Sequence, residues 1–598
     1  MHKTQGLGNF AISAKPGLRF EAFQLLDGAP MKSDVLDGVD TTWARVPGGT
    51  DIGKSAAEII ARFDSQNPST SIPAILKLRA ELAALPINDP LVTEKRAQLD
   101  GILQACLGLE VQTTISQAEV VPGEVMKLHH SVVIRSGTPV RWVEVRYPEI
   151  KERADQGKSP SSPDPQNIEL LPNQPRTLES APTLPASTPL SQPYWLRQEA
   201  TPGMFQVDDP SLIGRPENPC PFPIKYVFEI AGQTLVISDE PVQVVKSDGL
   251  ASEATLHGSE VHRRMEVIPP VSLDFASDVA LFAPSSTHPV EVEIVASRAD
   301  LDGTLRLEGP QGWTVSPAEQ PFHLKTIGER AHFTFSITAP ARSETAKFVA
   351  DAEIRNAHYR TGRIAINYSH IPPILLQPVA SLKAISLDLK TLGHTVGYLP
   401  GAGDSVAQNL KQMGYAVRIL DDTKLMPEDL QGLDAVVIGV RAFNVRKDIG
   451  SHLPVLFRYV ENGGTIVAQY NRPDGLQTNE VAPFELHLST DRVTDETAAA
   501  TFLAPDNPAL NKPNKITSAD FDGWVQERAI YFPDQWDDHF TPVLAFNDPG
   551  ETPLKGSLLV APYGKGYFVY TGLVFFRELP AGVPGAFRLF ANLISLGK

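Results

Sequence analysis

The spacing of apolar residues changes twice along this chain, and each change limits what the following segment can become. From Asp51 the apolar positions recur at helical spacing: Ala57, Ile60 and Phe63, then Ile75, Leu76, Leu78 and Leu82, then Leu91, Leu99, Ile102, Leu103 and Leu107. Breaks at Pro68, Pro73, Pro86 and Pro90 divide this stretch into three short helices, a helical linker over 49–110. From Val111 the period falls to two. Val111–Gln117, Leu128–Ile134 and Val140–Tyr147, separated by turns at Val121–Glu124 and Ser136–Gly137, read as successive antiparallel strands of a β-sandwich over 111–255. From Val396 short apolar runs alternate with helical patterns.

Within the first sandwich a Pro- and Ser-rich insertion over about 155–193 is expected to be a long loop, since proline cannot donate to a ladder. His129 and His130 are neighbours in a strand, so they point to opposite faces and cannot chelate one metal together. A second sandwich is expected over 262–370, with Leu305 and Leu307 on one inward face and Phe333, Phe335 and Ile337 on another. Trp313, in a Gly-Trp turn, fits a core plug better than a sugar-stacking platform.

The segment 378–598 alternates strand and helix: strand at Val396–Leu399, glycine turn, helix at Ser405–Met413, strands at Ala416–Leu420 and Ala435–Gly439, helix at Ile449–Glu461, strand at Thr465–Gln469. Such alternation builds a doubly wound, mostly parallel α/β sheet whose ligands sit beyond the carboxyl ends of the strands. That edge is expected to gather Gly401, Gly403, Asp404, Arg441, Asn444, Asn471, Arg472 and Asp474. A tight strand-to-helix turn with Asp404 or Ser405 as N-cap explains the glycines there.

With 598 residues the chain needs several cores, and its 42% hydrophobic content is that of a globular protein. A formal charge of -17 disfavours nucleic acid as a partner. No apolar run predicts a membrane span. Cys106 and Cys220 supply neither a disulfide framework nor a metal knuckle. The sequence as it stands predicts a cytoplasmic protein, or an extracytoplasmic one if an upstream leader has been trimmed.

Three stretches carry a family resemblance. His2-Lys3-Thr4-Gln5 resembles the His-x-Ser/Thr-Gln signature near the end of the deacetylase domain of the PIG-L (LmbE-like) family, and Asp37–Arg45 is similar to the segment that comes after it in large multidomain bacterial members. Gln192–Arg197 resembles the same proteins. The family is zinc-dependent and acts on N-acetylglucosamine-type amides. This resemblance implies that 1–48 is the remnant of a deacetylase domain, with His2 and Gln5 its marks. The family's Ala-His-Pro-Asp-Asp-Glu and His-x-x-His zinc motifs do not occur here, so zinc is expected only for a catalytic domain outside this sequence, and this chain is expected to hold no cofactor or metal. The segment 305–340 is similar to immunoglobulin-like modules beside sugar-processing enzymes. The segment 378–598 resembles class I glutamine amidotransferase-like domains, ThuA-like variants above all. Those enzymes use a cysteine nucleophile, yet no Cys follows Cys220 and the late strand Tyr567–Leu573 carries no His, so thiolate catalysis is excluded.

A second cluster adds Trp524, Gln526, Glu527, Arg528, Tyr531, Asp534, Trp536, Asp537, Asp538 and His539, with Arg577 and Glu578 later. Aromatic faces mixed with carboxylates and guanidiniums suit a saccharide, and paired carboxylates suit glycoside chemistry. Packing with ion pairs explains the same residues. The expected ligand residues are Asp404, Arg441, Asn444, Trp524, Glu527, Arg528, Tyr531, Trp536 and Asp537. Two functions are consistent with these features: a non-catalytic region of a PIG-L-type deacetylase that positions substrate or scaffolds the missing domain, or a standalone carbohydrate-binding or scaffolding protein. Its partners would be a saccharide or glycoconjugate and the deacetylase domain itself.

Overall fold

The computed structural model describes residues 32–86, 88–148, 167–201, 203–246, 260–368 and 371–598, with isolated positions between 17 and 27. His2, Gln5 and nearly half of the expected deacetylase remnant lie outside the described residues. The chain is multidomain and dominated by β-sheets. It divides into two units, Met1–Pro270 with Arg363–Pro378, and Val271–Gly362 with Val379–Lys598.

In the first unit the three helices form as their spacing predicts, at Thr50–Arg62, Ile72–Ala83 and Pro90–Leu107. The last starts on an Asp89 cap, whose carboxylate accepts the Leu91 and Val92 N–H groups, and stops at Gly108 in the left-handed region. Leu78, Leu82 and Leu103 enter the same core as Val132, Trp142 and Tyr226, so the helices close one end of the first sandwich. One of its sheets runs Glu260–Arg264, Pro241–Lys246, Glu110–Ile115, Leu128–Val133 and Arg176–Ser180. The other runs Ile168–Glu169, Arg141–Arg146, Ile224–Ile230 and Gln233–Asp239.

Two expectations change here. The Pro-rich insertion is not wholly loop: Ile168–Glu169 and Arg176–Ser180 are Pro-free and pair as edge strands, the position that flanking prolines tolerate. The strand Glu260–Arg264, placed at the border of the second sandwich, pairs instead with Pro241–Lys246 of the first.

The second sandwich has sheets Val271–Phe275, Thr287–Ala296, Arg330–Thr338, Thr314–Ser316 and Val279–Phe282, Ser381–Ser386, Glu344–Ile354, Leu301–Glu308, Glu319–Leu324. Ser381–Ser386 lies inside the segment expected to be α/β, yet it pairs with both Val279–Phe282 and Glu344–Val349. Trp313 is a core plug, edge-on to Phe282 and Phe348 with its Nε1–H donated to Glu344 at 3.1 Å.

Beyond it lies a seven-stranded sheet ordered Ala416–Ile419, Thr395–Leu399, Ala435–Ile438, Thr465–Gln469, Gly566–Thr571, Leu558–Tyr563, Thr541–Pro542. The first five run parallel, Leu558–Tyr563 runs opposite to them, and Thr541–Pro542 pairs antiparallel with that strand. Alternate residues feed two cores. Val396, Val437 and Val467 pack with the helices Val406–Gln412 and Pro584–Ile594, whereas Val436, Ile466 and Phe568 pack with the helix Ile449–Glu461. Helices thus cover both faces, as the alternating pattern predicts for a largely parallel sheet.

Candidate functional site

The carboxyl ends of the three central parallel strands Ala435–Ile438, Thr465–Gln469 and Gly566–Thr571 lead into Gly439–Asn444, Tyr470–Asp474 and Gly572–Arg577. Close packing fixes the first of these turns. A Cβ on Gly401 would stand 2.1 Å from the Val440 carbonyl, and one on Gly439 2.6 Å from the Tyr398 hydroxyl. Arg441 then takes a left-handed φ of 57°, held by its N–H donating to the Tyr470 carbonyl at 2.8 Å. The Asn444 amide ties the neighbouring turn, donating to the Arg472 carbonyl at 3.0 Å and the Asp474 carbonyl at 3.1 Å and accepting the Arg472 N–H at 2.9 Å. Asn471 is buried and accepts the Phe443 N–H at 3.0 Å.

Asp404 is occupied by the fold. Its carboxylate accepts the Tyr398 hydroxyl at 2.5 Å, the Val406 N–H at 2.9 Å and the Val440 N–H at 3.2 Å. Burial and this adjacent carboxylate push the Tyr398 phenol up. Asp404 therefore pins the turn that carries Arg441 and has little capacity left for a ligand.

Tyr531 brings part of the second cluster to the same place. Its ring stacks on Tyr470 at 6.1 Å between centroids, and the Arg472 and Arg492 guanidiniums lie 5.7 and 5.8 Å from its centre. Like Arg441 it is left-handed, at φ 48°, in a strand whose register against Leu486–Val493 shifts nearby. Phe576 also packs against Tyr470, 5.1 Å between centroids. Burial pushes the Tyr470 phenol up, and Arg441 and Arg577 pull against that shift. Glu527 is 5% exposed and pairs with Arg577 and, at 3.4 Å, with Arg492. Among the described residues neither the Arg441 nor the Arg472 side chain makes a hydrogen bond or ion pair, and the Nε of each is buried without a partner.

The remaining expected residues part company with this group. Trp524 is 4% exposed, with its Nε1–H donated to the Asp520 carbonyl at 3.0 Å and its ring against Phe521 and Phe575, so it cannot offer a face to a sugar. Arg528 is equally buried and spends its guanidinium on the Ala498 and Phe521 carbonyls; burial lowers its affinity for a proton. Trp536 and Asp537 sit at the far end of the strand Ala529–Trp536, where Asp537 binds the His539 N–H at 2.9 Å and His539 stacks on Phe484. The carboxylates considered for acid and base work are dispersed into separate pairs, Glu527 with arginines, Asp534 with His487 and Asp537 with His539. The sequence reading missed Tyr470 as a ring of the site, and also Arg492 and Phe576. Tyr470 carried a usable signal, standing first after a buried parallel strand; Arg492 arrives through an irregular cross-strand register that no spacing reveals.

Among the described residues no three His, Cys, Asp or Glu side chains converge as a metal cluster, and no helix is long and apolar enough to cross a membrane. The chain matches no protein-family model and no curated protein. Among solved structures it has distant similarity to a Thermoplasma acidophilum protein described as a subunit of GMP synthase, at TM-score 0.23 and 12% identity, covering 34% of this chain and 94% of that one. It is similar also to red sea bream transglutaminase, at TM-score 0.19 and 10% identity over 49% of this chain and 34% of that one. A third, the native conformation of Escherichia coli alpha-2-macroglobulin, gives TM-score 0.16 and 10% identity, over 48% of this chain and 18% of that one. These scores are too low to carry a functional argument.

Proposed function

We propose that this chain is the non-catalytic region of a PIG-L/LmbE-type N-acetylglucosamine-type deacetylase, with immunoglobulin-like sandwiches and an amidotransferase-like α/β domain that position the substrate for a separate catalytic domain. Besides the sequence resemblances at 2–5, 37–45 and 192–197, one observation supports this reading. At the strand edge where such a domain would do chemistry, Gln469, Tyr470 and Asn471 supply no nucleophile, and Asn471 is consumed by hydrogen bonds to the backbone. Catalytic zinc needs about three protein ligands and an open position. This chain has only His2 to offer from the family's motifs, so no step is routed through zinc.

The test uses the full chain with a PIG-L-type catalytic domain supplied separately. Alone, the chain should release no acetate from N-acetylglucosaminyl substrates; added to the catalytic domain, it should lower KM with little effect on kcat, as uniform binding does. Deacetylation by the chain alone with stoichiometric zinc would overturn the proposal, and so would an unchanged KM.

A second reading, a standalone carbohydrate-binding protein, is favoured by the Tyr470, Tyr531 and Phe576 rings at the strand edge. A glycan array separates the two: saccharide binding lost in Tyr531→Ala, without any effect on a deacetylase, supports the second.

A further inference from the structure

Two guanidiniums held half-buried without counter-ions are expensive in a protein of net charge -17, which has an excess of carboxylates to pair them with. Other arginines of this domain are paired: Arg446 bonds Asp421 and Asp448, and Arg492 and Arg577 share Glu527. Arg528 is satisfied by backbone carbonyls and Arg458 is exposed to water. Arg441 and Arg472 are partly buried with neither kind of partner among the described residues, and both stand at the carboxyl ends of adjacent parallel strands. The backbone around them is costly too, since Arg441 and Tyr531 both occupy the left-handed region that bulky residues avoid. Unpaired planar cations beside aromatic rings, kept in place by strained backbone, make a receptor for a planar or tetrahedral oxyanion.

We infer that Arg441 and Arg472, with Arg577 beside them, bind the carboxylate or phosphate of a small-molecule ligand whose body lies against Tyr470 and Tyr531. The site's excess of cations over the Glu527 carboxylate leaves positive charge for the ligand to neutralise. The acidic remainder of the chain repels polyanions, which restricts the ligand to small anions. This inference stands on the arginine geometry and does not depend on the deacetylase reading.

The experiment is calorimetric titration of the full chain at low ionic strength with sodium phosphate, glucuronate and glucose 6-phosphate, and with glucose as the neutral control. At least one oxyanion should bind saturably and glucose should not. Phosphate compounds binding alone would identify a phosphate site; glucuronate binding alone would identify a carboxylate site. Arg472→Gln and the double variant Arg441→Gln/Arg472→Gln should weaken binding by roughly tenfold or more, while Arg446→Gln, whose cation is already paired, should not. Because the two cations lack hydrogen-bond partners and counter-ions, and Arg472 has only its contact with the Tyr531 ring to lose, neither variant should lower the melting temperature of the free protein by more than a few degrees. Absence of saturable binding up to about 10 mM, binding of glucose as strong as that of the oxyanions, or affinity unchanged in both arginine variants would each overturn the inference. None of these results bears on whether the chain lowers a deacetylase KM.

Discussion

A carboxyl group sealed from water keeps its proton, and Glu578 is in that position. It is fully buried, and the Val525 N–H donates to its carboxyl oxygens at 3.0 and 3.2 Å; burial pushes its pKa from 4.5 up to about 8. Between those two values the folded chain holds a proton that the unfolded chain releases. The contribution of Glu578 to stability is therefore fully present below about pH 4.5 and is lost as pH rises through about 8. Glu578→Gln should flatten the fall in melting temperature over that window, read by calorimetry in a pH series. His130 works in the opposite sense. It is buried in the first sandwich, its Nδ1 near the Thr113 and Tyr226 hydroxyls at 3.2 and 3.0 Å and its Nε2 near those of Tyr147 and Ser180 at 2.9 Å. Burial, followed by the neighbouring His129, lowers its pKa from 6.5 to about 4. Stability from neutral His130 is present above about pH 6.5 and disappears as pH falls through about 4. His130→Leu should remove that acid sensitivity and cost about 2–3 kcal/mol at neutral pH by orphaning buried hydroxyls, measurable by urea unfolding.

At the scale of elements, much of the structure was readable in advance, because helix and strand periods differ and glycine marks the turns. The expected Ile449–Glu461 helix and Thr465–Gln469 strand match the observed limits, and His129 and His130 do face opposite ways, one exposed beside Glu179 and one enclosed. The strand Arg176–Ser180 escaped notice because composition averaged over a Pro-rich window hides a short Pro-free run. Residues such as Trp524 and Arg528 looked like ligand groups because sequence shows residue type and not depth; only the packing of the helix Pro584–Ile594 and its neighbours places them inside. Of the site itself, Arg441, Asn444 and Arg472 were legible from their place at strand ends, whereas the convergence of Tyr531 with Tyr470 depends on a distant strand. Gly401 tests how tightly that edge is built. Gly401→Ala puts a methyl against the Val440 carbonyl and should cost about 1–3 kcal/mol, with a matching loss of any ligand binding at Arg441, followed by chemical denaturation and titration.

At the scale of the whole chain, the second unit behaves as one folding object made of two architectures. Val279, Ile385 and Leu387 of the sandwich belong to the same core as Leu410, Phe587 and Leu593 of the α/β layer. Lys383 donates to the Ala581 carbonyl at 2.6 Å, and Gln412 to the Val279 carbonyl at 2.8 Å. Ile385→Ala, a large-to-small change at this junction, should cost about 2–5 kcal/mol. Its signature in hydrogen exchange should be lost protection in the Pro584–Ile594 helix as well as in Val279–Phe282; an effect confined to the sandwich would show that the two layers open independently.

The strand Ser381–Ser386 has a further consequence during synthesis. Val279–Phe282 leaves the ribosome long before its sheet partner exists, and Arg363–Pro378, which belongs to the other unit, must be made in between. At the usual pace of about 5–20 residues per second the exposed edge waits for seconds. Vectorial folding of the second sandwich is thereby delayed until the α/β layer has begun to emerge, and a gene cut at residue 370 would leave that sandwich permanently one strand short.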